Sequence, residues 1–211
     1  MDCKTKKRLY RNFKCLNKNI PFFPFQYFQY YFLEYRGIPH KQKIRFDGKI
    51  AVAKEEDLRE LQRFFSSKAK KFERRLKKGH LIVIAQEQDG RIVGYENLDF
   101  SAVHLERHSG IEIAIPQDSI YLYDAYIDPQ YRMRGVWVGF KNLIGNLMVE
   151  KKRNRLMTFI EWDNPTSLKT HLQFGFKIYE KRCIWRIFGK PLVKTESLTQ
   201  NPQLIRALLN H

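Results

Sequence analysis

Residues Tyr121 to Asn146, YLYDAYIDPQYRMRGVWVGFKNLIGN, pass from a strand through a basic glycine turn into a helix, and no other stretch limits the fold as much. Tyr121, Tyr123 and Ala125 alternate with Leu122, Asp124 and Tyr126 in a β-favouring composition, which Asp128-Pro129 ends because proline has no ladder donor. A helix begins near Gly135. Val138, Lys141, Asn142, Leu143 and Leu147 follow at three- and four-residue steps, a partly apolar face suited to packing on a sheet. Between strand and helix, Arg132 and Arg134 flank amides that the first helical turn leaves unpaired. Amides, helix dipole and guanidinium groups together favour a phosphate or pyrophosphate; an ordinary capped helix is the plain alternative.

A second pattern lies downstream, where a strand at MTFIEW from Met157 leads into Asn164, Ser167, His171, Gln173, Gly175 and Phe176 in the order NPTSLKTHLQFGF. With both pieces, the sequence resembles the GNAT superfamily of acyl-CoA-dependent N-acyltransferases over roughly residues 49–188. The family's cofactor motif is Gln or Arg, two residues, Gly, one residue, then Gly or Ala; it corresponds to Arg132, Met133, Arg134, Gly135 and Val136 and departs at Trp137. The family's later Asn and Ala-or-Ser pair corresponds to Asn164 and Ser167. The tyrosine that protonates the leaving thiolate in many members is His171 here, and an imidazole donates a proton near neutral pH.

The resemblance implies an α/β fold with a mixed, mostly antiparallel central sheet flanked by helices, and acyl-CoA or acyl-phosphopantetheine as co-substrate. It implies that the backbone of Tyr126 and Ile127 holds pantetheine, that Arg132 to Val136 hold pyrophosphate beside Trp137, and that Asn164 and Ser167 flank the thioester. His171 is then the acid. For the base there are three candidates: Tyr121, where some members carry glutamate; Asp124, the one acid of its strand; and Glu96 on the preceding strand. Asp124 reads equally well as a structural acid paired with an arginine, His171 as a half-buried helix residue, and a relayed water can also take the proton. No metal is required. His104, Glu106, His108 and Glu112 lack metal-ligand spacing and read as a polar loop.

Charge sets the partners. A net +17 with a pI near 9.8 calls for something acidic: cofactor phosphates, an acidic acyl carrier protein, an acidic peptide, anionic lipid or nucleic acid. The basic arm with Tyr10 and Phe13 carries no nucleic-acid motif, which disfavours the last. Cys3, Cys15 and Cys183 are odd in number and without metal spacing, as in reduced thiols of a cytoplasmic protein. The apolar run after the arm is broken by prolines and glutamines and is too short to span a membrane, so the chain reads as soluble with a membrane-peripheral variant open.

With 211 residues, 43% of them hydrophobic, the chain suits one core with additions. Residues 1–48 read as a basic arm followed by an aromatic segment, in which Phe25, Phe28, Phe32 and Tyr35 share one face of a short helix ending at Gly37. Residues 49–188 form the acyltransferase-like domain. Residues 189–211 read as a linker and a small amphipathic helix. The function this supports is transfer of an acetyl or longer fatty acyl group from a CoA or carrier-protein thioester to an amine on a small molecule or peptide. A catalytically inactive module of the same fold, binding an acidic protein or peptide, is the alternative.

Overall fold

The computed structural model describes residues 25–198. In chain order the strands and helices are β1 (Phe25–Arg36), β2 (Lys49–Val52), α1 (Leu58–Phe64), α2 (Ala69–Lys77), β3 (Leu81–Gln86) and β4 (Ile92–Asp99). There follow β5 (Val103–Glu106), β6 (Ile111–Ala114), β7 (Ser119–Ile127), α3 (Val136–Glu150), β8 (Arg155–Glu161), α4 (Pro165–Phe174), β9 (Lys177–Ile187) and β10 (Lys190–Ser197). The fold is a mixed, mostly antiparallel sheet flanked by helices, and the chain divides into two compact units.

One unit comprises residues 36–102 and 115–157. Its strands lie in the order β2-β3-β4-β7, all antiparallel, and the start of β8 adds in parallel beside β7. Successive residues of a strand face opposite sides, and β4 shows it: Tyr95 packs with Leu61, Phe72, Ile82 and Ile84 beneath α1 and α2, while Glu96 reaches Lys141 on α3. Two helices therefore cover one face and α3 the other. Apolar residues of α1 and α2, with Phe65 and Leu76 beside them, make the core that fixes these helices over β3 and β4.

The second unit holds residues 25–35, 103–114 and 158–198 of the described chain. Here β10, β9 and β1 pair antiparallel, the rest of β8 lies next to β1, and β5 and β6 form a separate hairpin. That hairpin falls where the sequence reads as a polar loop.

Two expectations are overturned. Residues 25–36 are a strand paired residue by residue with β9, from Phe25↔Ile187 to Glu34↔Lys177, and not a helix. Eight of the twelve residues are aromatic or apolar, so the three-and-four spacing is weak evidence against a strand, and the β-preference of Phe and Tyr decides. Tyr30, Tyr31, Phe32 and Leu33 are all buried in succession, as in a strand covered on both faces. Residues 190–197 are a strand and not a linker. Phe188 and Gly189 both take positive φ (46° and 82°) and join β9 to β10 in a two-residue turn, for which Phe-Gly is an uncommon signal. The basic arm and the C-terminal helix expected from the sequence lie outside the described residues. Among those described, no helix is long and apolar enough to cross a membrane.

Candidate functional site

The β4–β7 ladder contains a bulge. Tyr95 pairs with Tyr126 and Asn97 with Tyr123, which leaves Asp124 and Ala125 together opposite Glu96. Asp124 takes φ of 45°, a conformation a non-glycine residue adopts only when its surroundings hold it there. They do hold it: the buried Asn97 amide donates to the Asp124 carbonyl at 2.9 Å. Meanwhile the parallel ladder with β8 covers only Ser119, Ile120 and Tyr121. From Leu122 to Ile127, then, β7 is laddered to β4 alone. Tyr126 and Ile127, the residues expected to hold pantetheine, lie on this stretch, with Tyr126 exposed and resting edge-on against Phe65.

Beyond the strand, the Asp128 carboxylate accepts from Gln130 N at 2.9 Å and shapes a single 3-10 turn at Pro129–Tyr131. Met133 (φ 62°) and Gly135 (φ 83°) are both left-handed, and α3 starts at Val136. A chain that alternates handedness just before a helix turns successive N–H groups toward one concavity, the geometry of an anion nest. No side chain caps α3, so its first amides are not consumed by a cap. Arg132, Met133 and Arg134 are all exposed; Arg132 Nε donates to the Ile127 carbonyl at 3.1 Å, and the Arg134 guanidinium lies 5.3 Å from the Tyr131 ring centroid.

Gly135 is required for a second reason. A Cβ there would meet Ile44 Cβ at 3.2 Å and Arg45 N at 3.3 Å, because residues 38–48 run along α3. Gly139 makes room for Ile50 and Ile44, and Gln42 exchanges two hydrogen bonds with the Asn142 side chain. The segment delivers Arg45 beside Arg134, and both line a cavity of about 450 Å³ with Phe46, Tyr131, Glu87 and Asp89.

Trp137 follows the helix rather than the turn, for the Lys141 ammonium sits 4.6 Å from its ring centroid. Lys141 is fully buried and donates to both Glu96 oxygens at 2.6 and 2.5 Å. Burial pushes the Lys141 pKa down and the Glu96 charge opposes that. Glu96 is thus one half of a closed ion pair.

Asp124 is similarly engaged. Lys68, in the turn before α2, and Arg75, on α2, each donate to it at 2.6 Å. Burial alone would raise its pKa, but the Lys68 hydrogen bond and the Arg75 charge outweigh this and hold the carboxyl below the usual aspartate value. Tyr121, fully buried, stacks on Tyr123 with centroids 6.2 Å apart on the same face. Lys68, Arg75, Asn97 and Lys141 were not legible as site residues, since each acquires its role only through a partner more than 25 positions away. No local spacing signals them.

In the other unit, α4 gathers Asn164, Ser167 and His171. Asn164 Oδ1 caps the helix by accepting from Ser167 N at 3.2 Å, with Pro165 in the first position. His171 Nδ1 lies 2.8 Å from the Ser167 carbonyl, which can only accept, so Nδ1 carries a proton. The ring is buried, edge-on to Phe176. With Nδ1 protonated, Nε2 of a neutral ring accepts, and it donates only as an imidazolium.

No protein-family model and no curated protein matches the chain. Solved structures do match. A functionally unknown conserved protein from Staphylococcus epidermidis aligns with TM-score 0.56 at 10% identity, over 82% of this chain and 66% of that one. A putative acetyltransferase of the GNAT family from Novosphingobium aromaticivorans aligns with TM-score 0.53 at 12% identity over the same shares. AAC(6')-Iy, in complex with the bisubstrate analogue CoA-S-monomethyl-acetylneamine, aligns with TM-score 0.50 at 15% identity, over 63% of this chain and 92% of that one. The chain has the GNAT fold. It spans about two thirds of the length of the first two proteins. In the GNAT fold as this chain builds it, the bulge of β7, the basic turn and the start of α3 follow one another within 20 residues of one unit, whereas Asn164, Ser167 and His171 belong to the other.

Proposed function

We propose that the protein is an N-acyltransferase that moves an acyl group from a CoA thioester to an amine. The observation that carries this is the junction of β7 and α3: a bulged strand with a free ladder edge leads within eight residues into an arginine-flanked anion nest. An extended amide-bearing arm suits the edge, and a pyrophosphate suits the nest. AAC(6')-Iy, with the same fold, binds a CoA-based analogue, which supports the donor class.

In this reading Tyr126 and Ile127 pair with pantetheine, and Arg132, Arg134 and the amides around Gly135 and Val136 hold the phosphates. The amine nitrogen attacks the thioester carbonyl, the nitrogen gives up its extra proton to water as the amide forms, the carbon–sulfur bond breaks, and the thiolate takes a proton. His171 supplies that proton as an imidazolium, and Asn164 and Ser167 fix its helix. Asp124 and Glu96 act as positioning residues, because each would have to leave its cation to accept a proton. The strong positive charge suits an acidic carrier protein as an alternative donor.

Calorimetric titration with acetyl-CoA, a long-chain acyl-CoA and an acylated carrier protein tests the reading, with Arg134→Ala as the control. Binding of one thioester that weakens roughly 10-fold in the variant supports it, by about 1.4 kcal/mol for a charge-assisted contact. No binding of any thioester overturns it.

A further inference from the structure

The proposed mechanism leaves the acceptor's ammonium proton, which must go before attack, without a destination, and the face of the bulge that carries Asp124 offers one. His80 stands at the entry to β3, and its backbone N–H donates to the Arg75 carbonyl at 3.1 Å, which fixes the residue against the end of α2. Its imidazole turns to two strands at once: Nδ1 lies 2.6 Å from Tyr123 Oη on β7, and Nε2 lies 3.6 Å from Asp99 Oδ2 on β4. Asp99 is almost wholly buried. Its other oxygen accepts from Ser101 N at 2.9 Å and Ser101 Oγ at 2.6 Å, so the carboxylate cannot swing away.

The direction of the hydrogen bond follows from Asp99. A carboxylate can only accept, so the imidazole proton is on Nε2, facing Asp99, and Nδ1 accepts from the Tyr123 phenol. Burial also pushes the Tyr123 pKa up, against the opposing Arg75 charge, so the phenol has its proton to give. The bulge matters as well. It places Tyr123 and Asp124 in succession opposite β4, immediately before the edge residues Tyr126 and Ile127.

We infer that Tyr123, His80 and Asp99 form the relay that takes the proton from the acceptor ammonium; this deepens the acyltransferase reading and rests on it. The ammonium gives a proton to the Tyr123 oxygen as the phenol's own proton moves to His80 Nδ1. The lone pair left on the amine attacks the thioester carbonyl. The imidazolium faces Asp99 and later returns its proton to water, so each turnover moves the ammonium proton from acceptor to solvent. Tyr123 is the catalytic residue of the three, and His80 and Asp99 act through it. The other charges acting on this face are Arg75, with its guanidinium 4.9 Å from the Tyr123 ring centroid, Arg74, Lys68 and Asp124. Asp124 binds Lys68 and Arg75, which limits their opposition to an imidazolium. Unlike Asp124 and Glu96, His80 can accept a proton without breaking an ion pair.

The experiment measures acetyl transfer from acetyl-CoA to spermidine, neamine and ethanolamine against pH for the parent, Tyr123→Phe, His80→Gln and Asp99→Asn, with nitrogen NMR of the His80 ring. Tyr123→Phe and His80→Gln should lose about 100-fold in kcat near pH 6.5, with KM for acetyl-CoA unchanged. The loss should shrink to a few-fold near pH 10, where a substantial fraction of the acceptor amine is neutral. The ring should show Nδ1 unprotonated in the parent and altered in Tyr123→Phe. A loss equal at every pH, a parent-like profile in both variants, or an Nδ1–H ring in the parent would each overturn the relay while leaving the acyltransferase reading in place. A parent that binds and turns over neither acetyl-CoA, a long-chain acyl-CoA nor an acylated carrier protein removes the reading itself, and the relay with it.

Discussion

The side-chain amide of Asn97 holds the backbone carbonyl of Asp124 at 2.9 Å, so a residue on β4 maintains the bulge of β7. Asn97 is fully buried and Asp124 has left-handed backbone, and the hydrogen bond is what connects those two costs. Asn97→Ala should therefore destabilise the fold by about 1–3 kcal/mol, the penalty for a buried carbonyl that loses its donor. Urea unfolding at neutral pH measures it. Acetyl-CoA affinity should drop in parallel as the ladder edge relaxes, and parent-like stability would show that the bulge is held by something else.

Asp124 itself gives a pH signature. Its folded pKa lies below the ordinary value of 3.8, so the folded state binds fewer protons than the unfolded one as the pH falls. The sign follows: the stabilisation by Lys68 and Arg75 is fully present above 3.8 and is lost as pH drops through the folded value. Asp124→Asn lacks this dependence and leaves two cations without their carboxylate. Unfolding free energies of the two proteins should differ at pH 7 and converge in strong acid, and a gap constant across the range would deny the clamp.

Most of the fold was legible because long segments such as α3 and the β3–β4 hairpin express their period locally. Segment 25–36 was not, since its eight aromatic and apolar residues out of twelve fit either a strand or a helix, and only its pairing with β9 decides. The site divides in the same way. Arg132 to Val136 lie in one local turn, and the motif found them; His80, Asn97 and Lys141 take their roles from β7, β7 and β4 respectively, across contacts that a sequence does not display. Asp124 was read as either a base or an acid paired with an arginine, but which arginine was not legible, and Glu96 was read only as a base because its Lys141 partner lies 45 positions away.

Glu96 and Lys141 form a pair that should be worth little as a unit and much when broken. Lys141→Met leaves a carboxylate buried without its cation and should cost about 3–5 kcal/mol. The double variant Glu96→Gln, Lys141→Met removes both charges and should be more stable than the single one. Chemical denaturation of the parent, the two singles and the double closes the cycle. If the double loses as much as the singles added together, the two residues are not coupled.

Trp137 is where the family pattern calls for a small residue, and its position decides whether the donor turn still works. The indole is half-buried with the Lys141 ammonium 4.6 Å from its centroid, so it lies along α3 against the cation of the Glu96–Lys141 pair, and a helix residue there can be large without filling the nest at Met133 and Gly135. Trp137→Ala keeps helix propensity and removes only the ring. Stability should fall by about 1–3 kcal/mol through lost burial and cation–π attraction, and more steeply if water then reaches Glu96. Acetyl-CoA affinity should stay within about 3-fold, which corresponds to less than 1 kcal/mol. Thermal unfolding and calorimetric titration on the same sample separate the two effects. A variant that binds acetyl-CoA much more tightly than the parent would mean that the indole occupies donor space, and that the unaltered chain excludes the ordinary CoA pose.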